Sequence, residues 1–419
     1  MKVLWITNTV FPDLAVAIGQ KPPVVGGWMY GLAKSLSESK NIKLYVATTR
    51  NAVKDDEKTL NNITYFHLLG QKSMNQYDPS LEAKWRNIAD KIKPDIVHIH
   101  GTEYAHGLAL MNACPKLNYT ISIQGLISVY SRYFLANLSP KDLRKSLSLR
   151  DVLKGQTLKQ EEQEFFKRGK DIELNYLSKV EHVIGRTQWD NAHCKIVNPK
   201  VKYHFCNESL RDSFYYAKLW EPKDNGAPVL FLSQASRPLK GLHQVLHAIY
   251  LLKDQYPNIQ LRIAGGNIVR SESLKQRLSI SGYGKYIRGL ISKYEIEDQI
   301  TFTGPLDEEG MINEYVGSDM FICPSSIENS PNSLGEAQLL GVPVIASYVG
   351  GVSDMLSHEE TGLLYRFEEV EMLAIYIKRL LEDKSLALKL GRNGHEAAKI
   401  RHNRQTNLEQ LLSIYRSIA

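Results

Sequence analysis

The chain has 419 residues, with 52 Lys+Arg against 45 Asp+Glu and a net charge of +7. That length calls for two or three domains of roughly 100–200 residues each. Hydrophobic residues at 43% and charged residues at 23% exclude a wholly disordered chain, and four cysteines without a CxxC pair exclude a disulfide framework or a Cys-rich zinc site.

Residues 2–7 read as a first strand, with Val3 to Ile6 as its buried run, because Asn8 and Asp13 cut the N-terminal apolar run short of a signal h-region. Further β-branched and aromatic runs follow at 42–48, 64–68, 95–100, 119–124, 182–187 and 202–206. Helical patterns fall between them, notably Gly27 to Ser37 and Leu81 to Ile92. Near-continuous apolar strands separated by helices predict a parallel sheet covered on both faces. The rhythm restarts at 229–234, passes through a helix from Gly241 to Lys253, and continues at 260–265, 299–304, 320–325 and 343–347. Between the halves, Trp220 to Pro228 has the composition of a linker. Two doubly wound α/β units are expected.

Residues 138–179 break the rhythm. Lys141, Arg144, Lys145, Arg150, Lys154 and others alternate with acids such as Asp142, Asp151, Glu161 and Glu162. A solvated helical excursion is expected there, with a basic face for a membrane or a lipid-linked substrate as the alternative. The uncharged stretch from Ala337 to Ser353 contains Gly341, Pro343, Gly350 and Gly351, so it makes a poor membrane helix. A cytoplasmic protein is expected, one able to lie at the inner face of the cell membrane. The charge of +7 alone names no partner.

The chemistry concentrates in 323–347. A strand ends at Pro324, a polar loop follows, and a helix opens near Pro331, to be closed by Gly341 and Pro343. Such a loop lies at the carboxyl end of a parallel strand, where open α/β sheets bind ligands. Amides near Asn332, Ser333 and Leu334 suit a phosphate at the helix start. Glu328 and Glu336 flank that position, eight residues apart; the bland alternative is that both only complement the positive helix end. Arg237 and Lys240-Gly241 follow strand 229–234 and can neutralise a diphosphate. Gly26-Gly27 opens a helix after the first strand. No GxGxxG follows strand one and no Walker GxxxxGK[ST] occurs.

These residues resemble a known family. Glu328 and Glu336 as an E-x7-E element, the continuation from Glu336 to Gly351, TGLLY at 361–365, Lys240-Gly241, Gly26-Gly27 and the run from Pro94 to Gly101 are similar to the retaining GT-B glycosyltransferases of family 4. The resemblance runs from end to end and is densest between 229 and 370. It implies two Rossmann-like domains facing each other across a cleft. Residues 1–218 would form the acceptor-binding domain, with a helical excursion at 126–178. Residues 219–402 would form the nucleotide-sugar domain, and 403–419 a helix crossing back to the first.

By that resemblance a UDP- or GDP-sugar donates its sugar to a saccharide or lipid-linked saccharide, in surface polysaccharide or glycoconjugate synthesis. Glu328, Lys240 and Arg237 would be catalytic. Gly27, Glu336, Asn332, Ser333, Leu334, Asn329 and Gly304 would bind the donor, with Gln124 and His100 on the acceptor or sugar side. No metal, no cofactor beyond the substrate nucleotide, and no nucleic-acid partner is implied. Two departures stand out: Ala235 where the family carries arginine, with Arg237 as its substitute, and Gln124 where members often carry histidine. The alternatives are a catalytically inert nucleotide-sugar-binding subunit of a polysaccharide assembly complex and a nucleotide-sugar epimerase. His98 and His100 read equally as packing histidines at a strand end.

Overall fold

The structure is a computed structural model that describes residues 1–22, 27–70, 73–223, 226–270 and 273–419. Gly26, half of the glycine pair singled out above, lies outside the described residues, as do residues 224–225 of the expected linker.

The chain divides into two compact units. The first comprises Met1–Val129, Phe166–Arg211 and His402–Ala419, and the second Tyr130–Phe165 and Asp212–Arg401. In the first unit eight strands form one sheet: β1 (Lys2–Ile6), β2 (Lys43–Thr48), β3 (Asp56–Leu60), β4 (Ile63–His67), β5 (Ile96–His100), β6 (Tyr119–Ser122), β7 (His182–Gly185) and β8 (Lys202–Phe205), in the order β3-β4-β2-β1-β5-β6-β7-β8. Every pairing is parallel except β3 with β4. Alternation along β1 explains the layers. Val3 and Trp5 enter the core on one face, and Leu4 and Ile6 enter the core on the other.

The second unit holds β9 (Val229–Leu232), β10 (Gln260–Ala264), β11 (Ile300–Gly304), β12 (Met320–Cys323), β13 (Val344–Ser347) and β14 (Leu363–Tyr365), ordered β11-β10-β9-β12-β13-β14. All its pairings are parallel. Two strands lacked a sequence signal. β3 reads DEKTL and alternates between half-buried and exposed, as an edge strand does. β14 has only three residues.

The units divide the chain differently from the sequence expectation in two places. Residues 212–218 pack with the second unit, because Phe214 is buried against Tyr315 and Ser213 Oγ donates to Glu308 at 2.5 Å. Trp220 is no linker residue. Its indole N–H donates to the Ser318 carbonyl at 2.7 Å, and it is 5% exposed. Residues 130–165, expected in the first domain, also pack with the second unit. His243 Nε2 lies 3.0 Å from the Ala136 carbonyl, Lys285 Nζ donates to the Leu147 carbonyl at 2.7 Å, and Asp151 accepts the Gly282 amide.

The helix Arg404–Ile418 packs within the first unit, capped by Asn403, whose side chain accepts the Thr406 amide. A buried chain of hydrogen bonds fixes it. Trp5 Nε1 donates to Tyr415 OH at 2.8 Å, His98 Nδ1 lies 2.6 Å from that hydroxyl, and His98 Nε2 lies 2.6 Å from Ser122 Oγ. Burial lowers the His98 pKa to about 3, so its ring is neutral and takes one donor and one acceptor role. His98 is therefore a satisfied core histidine. Tyr415→Phe leaves Trp5 Nε1 and His98 Nδ1 without that partner and should cost about 3 kcal/mol, read as a lower urea midpoint.

Candidate active site

Ligands of open α/β sheets bind where the strand order reverses, beyond the carboxyl ends of the strands. In the second unit that point lies between β9 and β12, which pair directly, with Met320 opposite Leu230 and Phe321 opposite Phe231. The loop after β9 carries Lys240 and the loop after β12 carries Glu328. Residues 88 positions apart thus meet: Lys240 Nζ donates to Glu328 Oε1 at 2.5 Å.

Two glycines pin this meeting. Gly241 has φ +72°, and a Cβ there would fall 1.7 Å from the Pro324 carbonyl oxygen. Gly350 has φ +53°, and a Cβ there would fall 1.9 Å from the Glu328 carbonyl oxygen. Both allow backbone to press against the loop that holds Glu328. The carboxylate is 7% exposed as a residue, and Ser325 Oγ donates to its Oε1 at 2.8 Å. Among the described residues, Oε2 has no such bond.

The helix beyond the loop is Asn332–Leu339, with Pro331 at the N-cap rather than at the first helical position expected for it. Pro331 supplies no side-chain cap, so the first amides of the helix, at Asn332, Ser333 and Leu334, form its positive end. Leu334 N turns back to the Pro331 carbonyl at 3.0 Å. Glu336 is 6% exposed, with its Oε2 3.5 Å from Tyr315 OH, which also donates to the Ser333 carbonyl at 2.9 Å. Asn329 is fully buried, and its amide donates to Tyr130 OH at 2.9 Å. Ser325, Tyr315 and Tyr130 thus position the site and carried no sequence signal; Tyr315 and Tyr130 act across long separations, and Ser325 acts from three residues before Glu328.

Arg237 and Gly304 are the remaining candidates of this unit. The Arg237 guanidinium is exposed and sits 5.1 Å from the Phe165 ring centroid, and Ala235 is buried. Gly304, with φ +80°, ends the edge strand β11, where its carbonyl accepts the Gly265 amide at 2.9 Å.

In the first unit the strand order reverses between β1 and β5. Gly27 opens the helix Gly27–Ser37 that follows β1, and His100 ends β5. The His100 ring lies 4.0 Å from that of His98 and 4.3 Å from that of Trp5, and among the described residues neither of its nitrogens has a hydrogen-bond partner. Burial, with His98 and His106 nearby, holds its pKa well below the usual histidine value, so the ring is neutral. Gln124 follows β6 and donates to Glu208 at 2.9 Å. Glu208 in turn forms a buried ion pair with Arg186.

Sequence reasoning missed two carboxyls there. Burial pushes Glu103 up to about 7 despite the pull of Arg168, and burial pushes Glu173 up to about 7 although Ser128 and Ile127 donate to it. Oε2 of Glu103 is buried without a partner among the described residues. A carboxyl raised from 4.5 contributes stability that is complete below that value and is lost as pH rises through about 7. The melting temperature of Glu103→Gln minus that of the natural chain should therefore climb across that window and then level off. A flat difference would contradict the raised pKa.

Among the described residues no group of His, Cys, Asp and Glu could hold a metal ion, and no helix is long and apolar enough to cross a membrane.

Residues 220–397 match the family model of glycosyl transferases group 1. The putative glycosyltransferase YtcC of Bacillus subtilis is 29% identical over 193 residues, 45% of this chain and 45% of that protein. The chain thus matches less than half the length of such curated relatives. Sucrose-phosphate synthase from Thermosynechococcus elongatus has a similar structure, with TM-score 0.71 and 18% identity over 100% of this chain and 99% of that one. HepE of Anabaena, solved with UDP and glucose, gives TM-score 0.64 and 17% identity over the whole of both chains. The chain has the GT-B fold of glycosyltransferases, and its residues 220–397 carry the sequence pattern of glycosyl transferases group 1.

Proposed function

We propose that this chain is a retaining glycosyltransferase that moves a sugar from a UDP- or GDP-sugar to a saccharide or lipid-linked saccharide, without a metal. The observation that carries the reading is the Lys240–Glu328 pair beside the open end of the helix Asn332–Leu339, at the point where strand order reverses. Sugar transfer leaves negative charge growing on a nucleoside diphosphate. A fixed cation and helix-end amides aimed at that charge stabilise the transition state. In this reading Lys240 and the amides of Ser333 and Leu334 meet the diphosphate, and Glu336 accepts the ribose hydroxyls. Oε2 of Glu328 takes donor-sugar hydroxyls while Oε1 holds Lys240. Asn329, Gly304 and Gly27 would bind the donor, and Gln124 and His100 the acceptor or the sugar.

Support comes from the group 1 pattern over 220–397, and from YtcC, whose name is that of a putative glycosyltransferase. HepE was solved with UDP and glucose, a donor's two parts. The chain would work in the cytoplasm, against the inner face of the membrane. One observation favours a second reading: Ala235 is buried and Arg237 stacks on Phe165, so an inert donor-binding subunit would lack the family's arginine at the diphosphate.

The experiment is transfer from labelled UDP- and GDP-sugars to a panel of oligosaccharide and lipid-linked acceptors, with the anomeric configuration read by NMR. A product with the donor's configuration supports the proposal. Conversion of donor without acceptor identifies an epimerase, and donor binding without turnover an inert subunit. Inversion would sink the retaining assignment.

A further inference from the structure

Residues 130–165 do more than extend the second unit. The short helix Pro140–Lys145 stands between two hollows. One is a cavity of 720 Å³ shared with the helices Leu242–Leu252 and Gly282–Tyr294. Lys145, Lys285, Arg288 and Lys293 line it, against the single acid Asp142. His247 adds a ring held by Tyr294 OH at 2.6 Å. Four cations around one carboxylate form a receptor for an anionic group.

The second hollow, of 340 Å³, is lined by Leu143, Leu147 and Leu158 together with polar residues. The two are contiguous, because Lys285 lines the first and its Nζ donates to the carbonyl of Leu147, which lines the second. Around them the surface is apolar where water would be expected. Leu153 is 77% exposed, Leu274 73%, Leu149 58%, Val152 57% and Leu278 51%. Lys141, Arg144 and Lys154 are exposed on the same two helices, Pro140–Lys145 and Leu149–Lys154. Of the two acids on these helices, Asp142 lines the cationic cavity and Asp151 is turned inward, where it accepts the Gly282 amide. Exposed leucines ringed by cations are the pattern of a surface that lies in a bilayer interface, and the positive charge selects anionic lipid.

We propose that this face of the second unit docks on an anionic bilayer, with a lipid phosphate seated in the cationic cavity and the exposed leucines entering the interface. It deepens the membrane contact proposed above, and it stands apart from the transfer chemistry, since neither Lys240 nor either glutamate of the site takes part. Helix-borne leucines bury in the acyl boundary while Lys145, Arg288 and Lys293 stay at headgroup depth, as long cationic side chains do.

The test is co-sedimentation of the full chain with vesicles containing phosphatidylglycerol and with vesicles of phosphatidylcholine alone. Binding to the anionic vesicles, weakening as salt is raised, is expected. Lys145→Ala/Arg288→Ala/Lys293→Ala should weaken it roughly a hundredfold, given the usual worth of three surface cations. Leu149→Ser/Leu153→Ser should weaken it about tenfold or more. All five side chains reach solvent, so unchanged melting temperatures check that both variants fold. Equal binding to phosphatidylcholine, no binding to either, or full binding by the triple variant overturns the proposal. Saturable binding of soluble glycerol phosphate without vesicle binding also overturns it, in favour of a soluble phosphate ligand. Nucleotide affinity, measured in parallel, separates failure of docking from failure of the donor site.

Discussion

Gly241→Ala is expected to destabilise the second unit by about 3 kcal/mol or more and to abolish whatever Lys240 does. The new methyl would sit 1.7 Å from the Pro324 carbonyl oxygen, a backbone atom with no rotamer to escape into. The left-handed φ of +72° adds roughly 1 kcal/mol against any residue with a Cβ. Relief requires the loop after β9 to move away from the end of β12. That motion separates Lys240 from Glu328, so stability and function fall together. Urea denaturation should show a lower midpoint with an unchanged slope. A variant as stable as the natural chain would mean that the two loops do not press together in solution.

The second large effect lies in the ion pair itself. Lys240→Met leaves the Glu328 side chain, 9% exposed, with Ser325 alone among the described residues to hold its carboxylate. Breaking a buried pair from one side costs about 3 kcal/mol, because an uncompensated charge remains. Lys240→Met/Glu328→Gln removes both charges and should recover about 2 kcal/mol of that loss, a coupling energy typical of contacting residues. Activity should behave otherwise. Losing a group aimed at developing charge costs about a hundredfold to a thousandfold in rate, and the double variant regains none of it. Recovered stability without recovered turnover distinguishes a catalytic pair from a structural one. Parallel recovery of both would make the pair a structural brace.

What the sequence reveals here follows from which forces are local. Strands buried on both faces announce themselves as apolar runs, so β1, β2, β5, β9, β12 and β13 all fall within the predicted segments. β3 does not, because DEKTL at a solvated edge carries no such run. The helix Gly27–Ser37 has its predicted bounds, and Glu82–Ile92 differs by one residue. Allocation of 130–165 to a unit was not legible, since it depends on contacts such as His243 with Ala136, 107 positions apart.

The site divides along the same line. Glu328, Glu336 and the helix start were readable from spacing, and Lys240-Gly241 from its place after a strand. Their meeting was not, because it rests on β12 lying beside β9 in the sheet. The raised carboxyls of Glu103 and Glu173 were equally hidden. Burial decides them, and burial belongs to the folded chain.

The positive charges of the second unit have defined locations. Lys240 faces a carboxylate at the proposed donor site, and Lys145, Lys285, Arg288 and Lys293 line one cavity of the second unit. The net +7 is thus less informative than its distribution.

The most direct measurement is calorimetric titration of UDP and GDP into the natural chain and into Glu336→Ala. The account predicts one site for one of the two nucleotides, weakened roughly tenfold to a hundredfold in the variant by loss of hydrogen bonds to a charged acceptor. Binding of neither nucleotide, or unchanged affinity in Glu336→Ala, would contradict it.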